Sequence, residues 1–210
     1  MPIRVVVVDD HEAVRTGLER VLKRASGIHL VAAFADDRQV LDLARRGQVD
    51  VLILDYDLER GDGLAACLNV KQLRSPPAVA VYSGYAGPSL AVASAVAQAD
   101  ALVSKAQPVD ELLDVVCQLS AGERLLRTPA RDLREAAGAR LPSEDLAVMA
   151  MLLDGNRIAD IATALSIDAR AARARARRVI GLLQVRRRDT RCSADPMVVT
   201  SAPRDAECTP

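Results

Sequence analysis

Short apolar segments alternate with helical segments over the first 120 residues, and this alternation restricts the possible folds more than any other feature. The predicted strands are 3–8, 28–33, 49–54, 78–82 and 102–104. The predicted helices are 12–23, 36–45, 63–73, 89–97 and 109–119. The central run, Val51-Leu52-Ile53-Leu54, is typical of a parallel strand that helices cover on both faces. Repeated βα units of this kind predict an α/β fold with a doubly wound parallel five-stranded sheet.

Polar residues follow several of these strands at their carboxyl ends. They are Asp9, Asp10, Asp55, Ser83 and Lys105. In a parallel sheet these ends lie at one edge, where open α/β sheets place their ligands, so we expect the five side chains to converge. Each has an ordinary explanation when taken alone, because Asp10 could cap a helix, Ser83 could start a loop and Lys105 could be a solvated charge. The five together favour a functional site.

These residue types indicate phosphoryl-group chemistry. Neighbouring carboxylates raise each other's proton affinity unless a cation lies among them, and hard oxygen ligands suit Mg²⁺. With a lysine and a hydroxyl nearby, such a site would neutralise the equatorial oxygens of a phosphoryl group while a carboxylate attacks or receives it. A metal role for His11 would need further ligands, so we interpret it as a surface histidine.

Two motifs resemble the receiver domains of bacterial response regulators of the NarL/FixJ group. The segment 8–18, Val-Asp-Asp-His-Glu-Ala-Val-Arg-Thr-Gly-Leu, resembles their opening, and Leu54-Asp55 with Gly61-Asp62-Gly63 resembles their phospho-acceptor segment. Ser83 and Lys105 fall at the hydroxyl and lysine positions of that family. The resemblance covers residues 1–120 and implies a flavodoxin-like receiver fold.

The resemblance also implies roles for individual residues. Asp55 would accept a phosphoryl group from a sensor histidine kinase, and Ser83 and Lys105 would contact the phosphoryl oxygens. The implied Mg²⁺ ligands are Asp9, Asp10, Asp55 and the backbone carbonyl of Asp57. Two positions depart from the family pattern, since Glu59 replaces a common proline and Leu102 replaces the usual aromatic switch residue.

Positive charge is concentrated late in the chain, although the formal net charge is zero. Arginine occupies positions 170, 173, 175, 177, 178, 186, 187 and 188. This asymmetry predicts a basic module for an anionic partner, joined to a domain of another kind.

The segments around these arginines predict a small all-α domain. A first helix is predicted to begin with Ser143 as its cap, and its inward residues are Leu146, Met149, Ala150 and Leu153. A second helix covers 157–165, and Asp168 caps a long third helix that runs to Leu183. The inward stripe of this third helix is Ala172, Ala176, Val179 and Leu183. Short helices with a tight turn before a basic helix form a helix-turn-helix pattern.

Leu141 to Val185 resembles the LuxR-type DNA-binding domain. The matching motifs are Asp154-Gly155-Asn156, Ile161-Ala162, Leu165-Ser166-Ile167 and Leu182-Leu183-Gln184-Val185. The resemblance implies promoter DNA as a partner and a homodimer in the active state. Helical spacing places Arg170, Arg173 and Arg177 on one face toward the major groove, and Arg186, Arg187 and Arg188 would contact phosphates.

The predicted domains are a receiver at 1–120, a linker at 121–140, the helix-turn-helix at 141–192 and a disordered tail at 193–210. No run of about 18 uncharged apolar residues is present, which predicts a cytoplasmic protein without membrane contact. We interpret the chain as a transcription regulator rather than an enzyme. Two alternatives remain open: a Mg²⁺-dependent phosphohydrolase that uses Asp55, and a phosphorylation-independent regulator that a protein or small ligand controls.

Overall fold

The described part of the chain forms two compact units. The computed structural model describes residues 1–59 and 61–184. The first unit comprises Met1–Tyr85 and Ala99–Leu126, and the second comprises Ala86–Gln98 and the described residues from Arg127 onward. The predicted tail at 193–210 and the predicted phosphate contacts of Arg186, Arg187 and Arg188 lie outside the described residues. The domain boundaries near 120, 140 and 192 stay predictions.

A parallel sheet of five strands organises the first unit. The strands are β1 (Ile3–Val8), β2 (Ile28–Phe34), β3 (Val51–Asp55), β4 (Ala78–Ser83) and β5 (Ala101–Ser104). Their order is β2-β1-β3-β4-β5, and every neighbouring pair is parallel. This is the order of flavodoxin-like doubly wound sheets, so the predicted fold class is confirmed.

Helices alternate with these strands and continue after them. They are α1 (Glu12–Leu22), α2 (Val40–Arg45), α3 (Gly63–Lys71), α4 (Pro88–Val96), α5 (Val109–Ser120), α6 (Arg131–Gly138), α7 (Ser143–Leu153), α8 (Ile158–Ala164) and α9 (Ala169–Leu183). Among the described residues, none of the helices combines the length and apolar character needed to cross a bilayer.

Both faces of the sheet are buried, which explains the continuous apolar runs of its strands. On one face Val51 and Ile53 belong to a core cluster that also contains Leu18 of α1 and Leu112 of α5. The alternate residues, such as Leu52, point to the other face and are equally buried. On that side α3 contacts β3 and α2. The pairing of β3 with β1 and with β4 sets the position of its carboxyl end beside theirs.

Helix α2 begins four residues later than the sequence predicted. The prediction placed the start at Asp36, whereas the helix begins at Val40. The Asp36 carboxylate accepts a hydrogen bond from the backbone N–H of Arg38 at 3.1 Å. Such a local side-chain contact offers the backbone an alternative to the helix, which is why aspartate favours turns.

Five helices make up the described part of the second unit, where α9 contacts α4, α7 and α8. The Asp168 carboxylate caps α9 by accepting from the Ala171 N–H at 2.8 Å, as predicted. The predicted stripe of α9 is buried, which confirms that α9 is amphipathic. Gln98, which precedes β5, has a φ of 64° and donates its side-chain amide to the carbonyl of Asn156 at 2.8 Å. This hydrogen bond links the segment that contains α4 to the end of α7.

Helix α7 differs from its prediction in its cap and in its buried face. Pro142 occupies the N-cap position, and Ser143 is the first helical residue without a capping side-chain bond. Met149 and Leu153 are buried as predicted, whereas Leu146 and Ala150 are exposed and Asp145 is fully buried. The buried face is therefore shifted from the predicted one and includes Asp145, which Arg178 of α9 contacts at 2.7 Å.

Candidate functional site

The carboxylates of Asp9 and Asp55 lie side by side at the edge of the sheet. Val8 pairs with Leu54 across β1 and β3, so the residues that follow them are neighbours although they are far apart in sequence. The two side chains are almost completely buried, with exposed fractions of 1% and 4%. Two neighbouring buried carboxylates require compensating positive charge.

Lys105 supplies a positive charge to both carboxylates. Its Nζ lies 2.6 Å from Asp9 Oδ2 and 2.7 Å from Asp55 Oδ2. The backbone N–H of Lys105 donates to the carbonyl of Ser83 at 2.7 Å, which anchors the residue beyond the end of β5. The same ammonium lies 5.7 Å from the ring centroid of Tyr82, within the range of a cation–π interaction.

Burial and ion pairing have opposite effects on the pKa values of Asp55 and Lys105. Burial raises the pKa of Asp55 above its usual range, and the negative charge of Asp9 adds to this, although Lys105 opposes it. Burial disfavours the charged form of Lys105, but the hydrogen bonds and charges of Asp55 and Asp9 outweigh it, so the pKa of Lys105 is raised. Lys105 therefore stays charged at neutral pH.

Asp10 and His11 lie beside Asp9 and Asp55, and the four residues form one group. The Nδ1 atom of His11 lies 2.7 Å from Asp10 Oδ1, 3.4 Å from Asp9 Oδ1 and 3.8 Å from Asp55 Oδ2. The other carboxylate oxygen of Asp10 accepts a hydrogen bond from the Glu59 N–H at 2.8 Å. Asp10 is thus held between the loop after β1 and the loop after β3.

The group has the donor chemistry of a divalent metal site. One ligand atom from each of Asp9, Asp10, His11 and Asp55 lies within 4.8 Å of all the others. Lys105 contacts the carboxylates of Asp9 and Asp55, and Asp10 adds a third carboxylate, so a divalent cation would offset the remaining negative charge. The residues therefore fit Mg²⁺. Asp57 lies beside this group, since its N–H donates to Asp55 Oδ1 at 3.4 Å, and its predicted role as a carbonyl ligand stays a prediction.

Ser83 lies at the same edge, at the end of β4, with its side chain buried. Its hydroxyl donates to the carbonyl of Tyr85 and accepts from the Tyr85 N–H, both at 2.9 Å. The hydroxyl is therefore engaged by the loop after β4. Leu102, at the position where an aromatic residue was expected, is buried in β5 opposite Val81.

One arginine of α9, Arg178, pairs with carboxylates of α7. Arg170, Arg173 and Arg177 are exposed, as the helical spacing predicted. Arg178 instead lies 2.5 Å from Glu144 and 2.7 Å from the fully buried Asp145 of α7. Its hydrogen bonds, first of all the one to Asp145, raise its pKa. Arg178 therefore holds α9 against α7.

Two features of the site were missed by reasoning from the sequence. His11 is exposed, in agreement with its interpretation as a surface histidine, but the contact of its Nδ1 with Asp10 Oδ1, at 2.7 Å, was not expected. Its position directly after Asp9-Asp10 was the available signal. Tyr82 was assigned only to a strand, and its contact with Lys105 depends on the pairing of β4 with β5, which no local pattern specifies.

Comparison with known proteins agrees with this description of the fold. The family model for the response regulator receiver domain matches residues 5–117. A protein-glutamate methylesterase/protein-glutamine glutaminase of Xanthomonas oryzae pv. oryzae is 38% identical over 82 residues, which are 39% of this chain and 23% of that protein. The chain thus spans about a quarter of that relative's length.

Two other comparisons extend over most of the chain. The response regulator UvrY of Escherichia coli is 23% identical over 176 residues, which cover 79% of this chain and 81% of UvrY. The structure of RcsB from Salmonella enterica serovar Typhimurium, bound to a promoter with a phosphomimetic, aligns with a TM-score of 0.55 and 19% identity. It covers 89% of this chain and 94% of RcsB. At this identity the match shows a shared fold over both units.

Proposed function

The chain belongs to the response regulator receiver family, and we propose that phosphoryl transfer to Asp55 from a sensor histidine kinase modulates promoter DNA binding by its C-terminal helices. The observation that carries the proposal is the contact of one ammonium, that of Lys105, with the buried carboxylates of Asp9 and Asp55, at 2.6 and 2.7 Å.

The arrangement suits a carboxylate that accepts a phosphoryl group. Asp55 is the attacking group, and Asp9 and Asp10 would hold Mg²⁺ with it, the metal offsetting charge between two anions. Lys105 already bridges Asp9 and Asp55, so it is positioned to follow a phosphoryl oxygen once Asp55 is modified. Ser83 would reach a second phosphoryl oxygen by releasing its hydrogen bonds with Tyr85.

Mass spectrometry of the intact protein tests this assignment. Incubation with acetyl phosphate and Mg²⁺ should add one phosphoryl mass to the wild type and none to Asp55→Asn. Asp42→Asn, which changes an exposed carboxylate of α2, should be labelled like the wild type. Equal labelling of the wild type and Asp55→Asn would contradict the proposal.

The DNA-binding part rests on α9. Its exposed arginines recur at helical spacing on the side away from the buried stripe, and Asp168 fixes the start of the helix. These features support the proposal that α9 enters a major groove, where two copies in a homodimer would contact two half-sites. Arg173→Ala should lose about 1–3 kcal/mol at the protein's own promoter and little on random DNA if this side chain contacts a base edge.

Fluorescence anisotropy at several salt concentrations measures the affinity of each variant for the protein's own promoter and for random DNA. Arg46→Ala, an exposed arginine that follows α2, is the matched control and should bind like the wild type. Unchanged promoter binding by Arg173→Ala together with Arg177→Ala would show that these arginines form only a solvated surface.

Two observations favour a second candidate, a regulator that works without phosphate. The hydroxyl of Ser83 is engaged by the carbonyl of Tyr85. The buried Leu102 occupies the position of the usual aromatic switch residue. In that case acetyl phosphate would leave the promoter affinity unchanged. A phosphohydrolase would turn over small phosphate esters and would give no role to the arginines of α9. We propose that the protein is a regulator and not an enzyme, and that it acts in the cytoplasm.

A further inference from the structure

We propose that α9 recognises guanine in promoter DNA, and that Arg170 in its first turn contacts a guanine in each half-site. The inference rests on the proposed function and deepens it, because it names the base that the DNA-binding helix selects. The resemblance to the LuxR-type domain implies promoter DNA as a partner but carries no base preference, so the preference is argued from the side chains of α9.

The side chains of α9 can donate hydrogen bonds but cannot accept them. From Ala169 to Leu183 the helix contains only alanine, arginine, glycine, valine, isoleucine and leucine. Arginine is the one polar type in this set, and its guanidinium has N–H donors and no acceptor. The carboxylate directly before the helix, that of Asp168, caps it by accepting from the Ala171 N–H at 2.8 Å. The side chains of α9 can therefore form hydrogen bonds only with acceptors on the bases.

Guanine is the base that matches such a donor. In the major groove it presents two adjacent acceptors, N7 and O6, whereas adenine and thymine each present one and cytosine presents a donor. Parallel N–H groups of one guanidinium can reach both guanine acceptors, and this bidentate contact is the commonest specific contact to DNA. A helix face that carries arginine and no other polar side chain therefore favours guanine over the other bases.

Contacts with α7 separate the arginines of α9 into two groups. The guanidinium groups of Arg175 and Arg178 approach the carbonyl and the carboxylate of Glu144, at 3.5 and 2.5 Å. The remaining arginines of α9 are exposed, and they are Arg170, Arg173 and Arg177. At 3.6 residues per turn, Arg170 and Arg177 are only about 20° apart around the helix, with the exposed Ala174 between them. A small residue there lets the backbone approach the bases.

Arg170 occupies a position that the helix itself disfavours. It lies in the first turn of α9, where the helix dipole favours negative charge, and this turn contains no acidic residue. The side chain is exposed and takes part in no ion pair with another described residue. Helix stability therefore does not account for an arginine at this position. Residues in the first turn of a recognition helix are instead the ones that contact base edges.

Selection of bound fragments from random DNA, in the presence of acetyl phosphate and Mg²⁺, tests the preference on the full chain. The wild type should enrich sites with a guanine at the same position of both half-sites. In Arg170→Gln the amide matches N6 and N7 of adenine, so the preference at that position should change from G·C to A·T, by about 5- to 150-fold. Arg46→Gln, which removes the same charge from an exposed residue after α2, should select the wild-type sites.

Replacing the selected guanine with 7-deazaguanine gives an independent measurement, because this base lacks the N7 acceptor and still pairs with cytosine. Fluorescence anisotropy should show about tenfold or more weaker binding by the wild type, since a hydrogen bond to a charged donor is lost. Binding by Arg170→Ala should not change with this replacement.

Two results would overturn the inference and leave the proposed function intact. In one, Arg170→Gln binds every sequence more weakly without a change of preferred base, which would place Arg170 on a phosphate. In the other, 7-deazaguanine weakens the wild type and Arg170→Ala equally. A wild-type chain that binds no DNA in these assays would refute the proposed function and the inference together.

Discussion

Replacing Gly63 with alanine should destabilise the receiver and displace the carboxylate that accepts the phosphoryl group. A Cβ atom at position 63 would lie 2.1 Å from the carbonyl oxygen of Asp55 and 2.8 Å from Tyr56 Cα. Ordinary contact begins at 3.4 Å, so the first turn of α3 and the end of β3 would have to separate by more than 1 Å. The atoms in conflict are backbone atoms, which cannot rotate away.

The cost can be estimated from the position of the clash. Overpacking a well-packed region typically costs about 1–3 kcal/mol, and β3 lies between β1 and β4 at the centre of the sheet, so we expect about 3 kcal/mol. For a chain of this size that loss lowers Tm by about 6–12 °C. Misplacing a reacting group by about 1 Å can cost about a hundredfold in rate, so labelling of Asp55 should slow accordingly.

Thermal unfolding followed by circular dichroism measures the first effect, and labelling with acetyl phosphate well below both midpoints measures the second. Gly17→Ala is the matched control, because this exposed glycine lies within α1 and an added Cβ meets nothing within 4 Å. Alanine is favoured over glycine in a helix by about 0.5–1 kcal/mol, so Tm should stay the same or rise. Equal Tm values for Gly63→Ala and the wild type would refute the reasoning.

Three further predictions concern the site and the second unit. Because burial raises the pKa of Asp55 in the absence of metal, the carboxyl of Asp55 followed by NMR without Mg²⁺ should titrate above the usual aspartate range; a midpoint within or below that range would contradict this. Tyr82→Leu should slow labelling, since the ammonium near the ring loses its cation–π contact, whereas Tyr82→Phe should retain the wild-type rate; equal slowing of both would exclude the ring as the cause. Arg178→Met should lower Tm by removing the partner of a buried carboxylate, whereas Arg177→Met, one residue earlier and exposed, should not, as unfolding curves of the two variants would show.

The sequence by itself determined the local elements and the type of residue at each strand end. The run Val51 to Leu54 required burial on both faces, and the polar residues that follow the strands identified the edge where the site lies. The cap at Asp168 and the buried stripe of α9 also follow from local rules, because capping and helical spacing involve residues three or four positions apart.

Tertiary structure decided the features that depend on residues far apart in the chain. Arg177 and Arg178 are adjacent and chemically identical, yet only Arg178 meets the buried Asp145, because α7 packs against that side of α9. Leu146, the residue after Asp145, is 40% exposed, although helical spacing predicted it inward.

The orientation of His11 was decided in the same way. A histidine beside two aspartates is ambiguous in sequence, and the third carboxylate that its Nδ1 faces arrives only when β3 pairs with β1. Packing of this kind joins residues more than 30 positions apart, and no periodicity within one element specifies which side chain will be opposite it.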